Sequence, residues 1–164
     1  MSTSPRFIGH FQHTLDAKNR LTVPRSFLDA IPEKAEKALF ILTLGDRGCL
    51  NLFTRKAFAE LMDSLDEDWV QTEAYGEWEY NVVAQGEEIV LDTAGRLVIS
   101  KEHRDWAQID KEVVVAGLNQ RIEIWSLERW QKRVAESLAR FQDVKPRLKR
   151  RVPNQEKEPT PTAS

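Results

Sequence analysis

Apolar residues in this chain fall mostly in short runs or in alternation, and turn-forming residues close each run. Residues 39–44 and 113–116 are near-continuous apolar runs of strand length. Residues 49–53 and 122–125 return after each of them, the first across Gly45-Asp46-Arg47-Gly48. That arrangement predicts two hairpins. Residues 6–15, 20–23, 80–83, 88–91 and 96–99 read as further strands, with a Gln85-Gly86 turn between 80–83 and 88–91. Helical spacing is confined to a few stretches. Phe27, Leu28 and Ile31 follow Pro24, which suits a first helical position because its missing N–H is not needed there. Phe58, Leu61, Met62 and Leu65 follow Thr54, and Trp130, Val134, Leu138 and Phe141 follow Ser126. Both hydroxyl residues are placed to cap a helix. Residues 101–107 read as one more short helix. The expected fold is mostly β with short α-helices, a C-terminal helix and a mobile tail.

The pattern occurs twice. Thr14-Leu15-Asp16-Ala17-Lys18-Asn19-Arg20-Leu21-Thr22-Val23 returns as Val90-Leu91-Asp92-Thr93-Ala94-Gly95-Arg96-Leu97-Val98-Ile99, 76 positions later. Ile41-Leu42-Thr43-Leu44-Gly45 and Cys49-Leu50-Asn51-Leu52-Phe53 return as Val113-Val114-Val115-Ala116-Gly117 and Arg121-Ile122-Glu123-Ile124-Trp125, at an offset of 72. The second copy is therefore four residues shorter between these blocks, near positions 32–38, where the chain is polar and deletion costs little. Two copies are too few for a solenoid. They predict two half-units that share one core about an approximate two-fold axis: residues 6–65, then an acidic connector 66–79, then residues 80–142, then a disordered tail 143–164.

Composition narrows the function classes. The 164 residues are 41% hydrophobic and 30% charged, enough for a core beneath a polar surface. No apolar run approaches the ~18 residues of a membrane span, and the first residues lack the pattern of a signal peptide. One cysteine excludes an internal disulfide framework. Cys49 sits in an apolar run and is expected in the core. Together these features predict a cytoplasmic protein. Net charge is −2, but its distribution is uneven. Arg6, Lys18, Arg20 and Arg25 face only Asp16 among residues 1–26, and the charges of residues 63–79 are all acidic. Basic residues dominate again from 140 to 151.

The repeated turn is the candidate device. An aspartate opening a tight turn accepts hydrogen bonds from backbone N–H groups further along it. Asn19 and Gly95 stand where a left-handed residue would complete the turn. Arg20 and Arg96 then open the return strands. One reading confines each pair to closing its own turn, with a contribution on the order of 0–1 kcal/mol. The other has the aspartates orient turns whose Lys18, Arg20 and Arg96 grip an anion, with double-stranded DNA the leading candidate.

With these motifs the chain resembles the MraZ family of bacterial transcription regulators, from about Arg6 to Phe141. The marks are Asp16-Ala17-Lys18-Asn19-Arg20, Asp92-Thr93-Ala94-Gly95-Arg96, Leu21-Thr22-Val23-Pro24-Arg25-Ser26-Phe27 and Glu123-Ile124-Trp125-Ser126-Leu127-Glu128-Arg129-Trp130. The resemblance implies tandem AbrB-like, swapped-hairpin half-units forming a pseudo-two-fold barrel. It further implies a ring-shaped homo-oligomer at the nucleoid that binds short direct repeats in a promoter. Such a protein usually represses the division and cell-wall gene cluster, its own promoter included. Asp16, Lys18, Arg20, Asp92 and Arg96 carry over as the DNA-facing set, with Arg25 beside them. This chain departs from the family pattern at Ser100, where proline is usual, and at His103 and Arg104, where an apolar helix face is usual.

Two other classes compete. An enzyme would need a constellation that is missing here: the chain has no nucleotide fingerprint, phosphate loop or nucleophile elbow. His10 and His13 fall on opposite faces of a strand and lack partners at metal-ligand spacing, so no cofactor, metal or small-molecule substrate is expected. An oligomeric scaffold without specific DNA binding is the second alternative. It would use Trp130 or Phe141 as a subunit contact, with Trp125 in the core. The basic cluster Lys145, Arg147, Lys149, Arg150 and Arg151 would either add nonspecific DNA affinity or remain a solvated tail.

Overall fold

In a computed structural model the structure describes residues 5–144. The expectations for residues 145–164, including the basic cluster, lie outside the described residues. Among the described residues, eight strands and six α-helices follow in the order β1 (Phe7–Thr14), β2 (Arg20–Thr22), α1 (Arg25–Asp29), β3 (Leu39–Leu44), β4 (Leu50–Thr54), α2 (Arg55–Asp63), α3 (Glu67–Val70), α4 (Glu73–Glu79), β5 (Glu87–Val90), β6 (Arg96–Val98), α5 (Lys101–Ala107), β7 (Glu112–Asn119), β8 (Arg121–Ser126) and α6 (Leu127–Arg140). Asp143, expected in the tail, closes a 3-10 turn over Phe141–Asp143.

Six strands form one antiparallel sheet in the order β1-β7-β8-β4-β3-β5, and β2 pairs with β6 separately. The strands of the two copies therefore interleave. The β4–β8 pair meets at Asn51↔Glu123, flanked by Leu50↔Ile124 and Leu52↔Ile122, so exchanging the copies maps the ladder onto itself. The β2–β6 pair does the same about Leu21↔Leu97, with Arg20↔Val98 and Thr22↔Arg96 on either side.

The registers correct one detail of the repeat. Leu42 faces Leu52 in the first hairpin, and Val115 faces Ile124 in the second. Leu42 thus corresponds to Val115, one place beyond its expected match at Val114. Leu15 and Leu91 bond the carbonyls of Lys111 and Ala38, which fixes the same slip at the other end of the strand. Three of the four missing residues consequently fall between α1 and β3, where the first copy alone has a 3-10 turn, Lys34–Lys37. The fourth lies in the hairpin turn.

The core explains why the pattern alternates. Phe40, Leu42, Leu50, Leu52, Val113, Val115, Ile122 and Ile124 point to one side of the sheet and join Leu21, Val23, Phe27, Leu97 and Ile99 in one buried cluster. A period-2 strand can contribute only every second side chain to that face. The opposite face carries the buried Trp125, Glu123 and Thr43. Both hydroxyl caps form as expected: Thr54 accepts from the Ala57 N–H at 3.1 Å and Ser126 from the Arg129 N–H at 3.3 Å.

One expected strand is absent, and the acidic connector has helices of its own. Residues 80–83 are not a strand but part of a π-helical turn, Tyr80–Ala84, that continues α4. Their β-branched valines suit a strand, but Asn81 Nδ2 donates to the Glu77 carbonyl at 2.7 Å and Gln85 Nε2 to Asn81 Oδ1 at 3.3 Å, so helical bonding carries through. The acidic connector is folded as well. It forms α3 and α4, capped by Asp66 and Thr72 and joined by Trp69 packed against Tyr75 and Trp78. Pro24 occupies the cap position before α1 rather than its first turn.

Candidate nucleic-acid interface

The two repeated turns are near copies in three dimensions. In the first, Asp16 Oδ1 accepts from the N–H groups of Lys18 and Arg20, both at 2.9 Å, while Oδ2 accepts from Arg20 Nε at 2.6 Å. In the second, Asp92 Oδ1 accepts from Ala94 and Arg96, both at 2.9 Å, and Oδ2 from Arg96 Nε at 2.8 Å. Asn19 has φ 58° and Gly95 φ 74°, the left-handed residues expected at those places. An aspartate does this because one oxygen can cap the turn backbone while the other holds the arginine. The Arg20 backbone N–H is the largest influence holding the Asp16 carboxyl below its ordinary value, followed by its guanidinium and the Lys18 N–H. Arg96 and Ala94 act in the same order on Asp92.

The fold sets the turns side by side. Besides the β2–β6 ladder, Val23 N–H donates to the Gly95 carbonyl at 2.9 Å, and Ile99 N–H donates to the Asn19 carbonyl at 3.2 Å. Each turn's left-handed residue is thus tied to the strand that leaves the other turn. Among the described residues each guanidinium bonds through Nε alone. Some 28% of the Arg20 side chain and 32% of the Arg96 side chain reach solvent.

The other expected residues separate into groups. Lys18 is exposed at the tip of the first turn, and Ala94 is its counterpart in the second. Arg25 opens α1, 87% exposed and paired with Asp29 at 3.2 Å. It lines a cleft with Asp92 and Gly95, so the structure sets it beside the turn of the other copy. Its counterpart Lys101 was not anticipated. Lys101 opens α5 and pairs with Asp105 at 2.5 Å, reproducing the Arg25–Asp29 pair. The 76-residue offset would have found it, since it relates both the cation and its acid.

The unusual residues after Ser100 have structural partners. His103 replaces Phe27 of the first copy and is buried. Its Nε2 lies 2.9 Å from the Gln85 carbonyl, an acceptor only, so Nε2 carries the proton. Its Nδ1 lies 2.9 Å from Ser100 Oγ and 3.2 Å from Glu87 Oε2. Glu87 likewise stands where the first copy has Phe11, which meets Phe27 edge to face at 5.5 Å. A polar pair thus replaces an aromatic one. Arg104 donates to the Ile99 carbonyl.

His10 and His13 do not converge: His10 lies against Trp130, with ring centroids 5.2 Å apart, and His13 lies beside Phe11. Among the described residues no group of three metal-ligating side chains occurs, and no helix is long and apolar enough to cross a membrane. Burial raises the Cys49 thiol to about 12, with the Glu123 carboxylate adding to the shift, so it stays protonated at neutral pH.

Known proteins resemble this chain in sequence. A family model described as an MraZ protein, antitoxin-like, matches residues 7–74 and 83–152, with one turn in each segment. A protein named transcriptional regulator MraZ from Desulforamulus reducens is 32% identical over 141 residues, covering 84% of this chain and 94% of its own length. A protein of the same name from Lactiplantibacillus plantarum is 33% identical over 141 residues, with the same coverage. Another, from Roseiflexus castenholzii, is 33% identical over 125 residues, covering 76% of this chain and 84% of itself. With a family match across both copies and relatives aligned over most of both lengths, this chain belongs to the MraZ family.

Proposed function

We propose that this chain is a sequence-specific DNA-binding transcriptional regulator that acts through its paired turns. On this reading it represses the division and cell-wall gene cluster, including its own promoter, by binding short direct repeats. The observation that carries the proposal is the matched pair of Asp–Arg turns, locked together by β2–β6 and by the two cross-bonds, each offering a partly exposed guanidinium. Asp16 and Asp92 shape and orient the turns. Arg20, Arg96 and Lys18 contact phosphates or base edges, with Arg25 on the flank. Preorganised turns suit this role because little side-chain freedom is lost on binding.

The test is a gel shift with the DNA upstream of this chain's own gene. Arg20→Ala should weaken binding by about 1–3 kcal/mol where the arginine reads a base edge. A folded Arg20→Ala protein with unchanged affinity would refute the assignment.

The same reading includes self-assembly into a ring of AbrB-like, swapped-hairpin units. Exposed apolar side chains support it. Ile8 lies on the β1 edge strand, Leu138 on α6 and Phe141 in the 3-10 turn that follows it, while Val90 lies on the β5 edge strand and Val83 in the π-helical turn before it. Different apolar patches on opposite sheet edges suit head-to-tail contacts, which close into rings when the rotation allows.

A further inference from the structure

The second turn has Ala94 where the first has Lys18, yet it is flanked by cations from the other copy. A cleft of about 790 Å³ runs along residues 91–95 and is also lined by Arg25, Lys34 and Lys37. Lys34 and Lys37 belong to the 3-10 turn that only the first copy has. The acids of that segment point elsewhere. Glu33 pairs with Lys56 Nζ at 3.7 Å, and Glu36 accepts from the Lys56 N–H at 3.1 Å. The cleft's own acids, Asp29 and Asp92, are each held by an arginine. Among the described residues, neither Lys34 nor Lys37 forms a salt bridge.

We propose that Lys34 and Lys37 bind the backbone phosphates of duplex DNA beside the second turn, in place of the lysine that this turn lacks. The proposal rests on the DNA-binding reading above and adds to it a contact site built by the first-copy insertion. Ammonium groups facing a shared cleft make sequence-independent phosphate contacts, and each such contact releases counterions.

The experiment compares the full chain with the Lys34→Gln/Lys37→Gln variant on the promoter duplex across a salt series. Loss of two phosphate contacts should lower the slope of log K against log salt by about 2 and weaken binding at low salt. Adding Ala94→Lys to the double variant should restore roughly one unit of slope, and Lys34→Arg/Lys37→Arg should retain the parent slope. A parent-like slope and affinity in the glutamine variant, alongside weakened binding by Arg20→Ala, would overturn this site while leaving the turn assignment intact. A parent chain that binds no duplex would overturn both.

Discussion

At the scale of single residues, each turn depends on one carboxylate with two tasks. Hydrogen bonding holds Asp16 and Asp92 below their ordinary values, so between the lowered and the ordinary value the folded chain binds fewer protons than the unfolded chain. Their contribution to stability is complete above the ordinary carboxylate value, roughly pH 4, and is lost as pH falls through the lowered one. An Asp16→Asn/Asp92→Asn protein keeps an acceptor oxygen but cannot form the ion pairs. Its melting temperature should lie below the parent's at pH 7, and the gap should narrow as pH drops below 4. Thermal melts by circular dichroism check this, and a gap independent of pH would count against it. These turns were legible in the sequence because an aspartate, a left-handed-tolerant residue and an arginine at fixed spacing have few other ways to satisfy their backbone. Lys101 was harder to see, since nothing near it signals a role until it is set beside Arg25.

Among elements, the short β2–β6 pair bears the most weight for its length. Leu21 and Leu97 are each 1% exposed and pin the pair to the rest of the core. Leu97→Ala should destabilise the protein by about 2–5 kcal/mol, read from a denaturant midpoint. Because that change removes packing from the strand beneath both turns, DNA affinity should fall with it. A loss well under 1 kcal/mol would mean that the pair is not anchored as described. Element type was read correctly wherever apolar spacing and a cap agreed, as at α2 and α6. It failed at the Tyr80–Ala84 turn, where β-branched residues extend a helix held by Asn81 and Gln85. The strand register slipped by one because the missing residue lies in a hairpin turn, where spacing carries no side-chain signal.

For the whole molecule, the proposed ring would be built at the edges of the sheet. Exposed Ile8, Leu138 and Phe141 near one edge and Val90 on the other leave both ends of the sheet ready for a neighbour. Light scattering at micromolar concentration should give a mass several times 18.9 kDa, and Phe141→Glu should reduce it. A chain that remains at its monomer mass would remove the ring from the proposal. Which strands pair across the copies could not be read from either half alone, because interleaving becomes visible only when all eight strands are laid in order.

Joining the two copies in one polypeptide has a consequence for orientation. Two identical separate subunits would sit equally well facing upstream or downstream. Here one turn has Lys18 and the other Ala94, and only one copy carries the Lys34–Lys37 insertion. Turning the molecule end for end on a duplex therefore exchanges unlike contacts. On the proposed DNA-binding reading each chain has a heading, and an array of such chains would favour operator units that all point the same way over mirror-related ones.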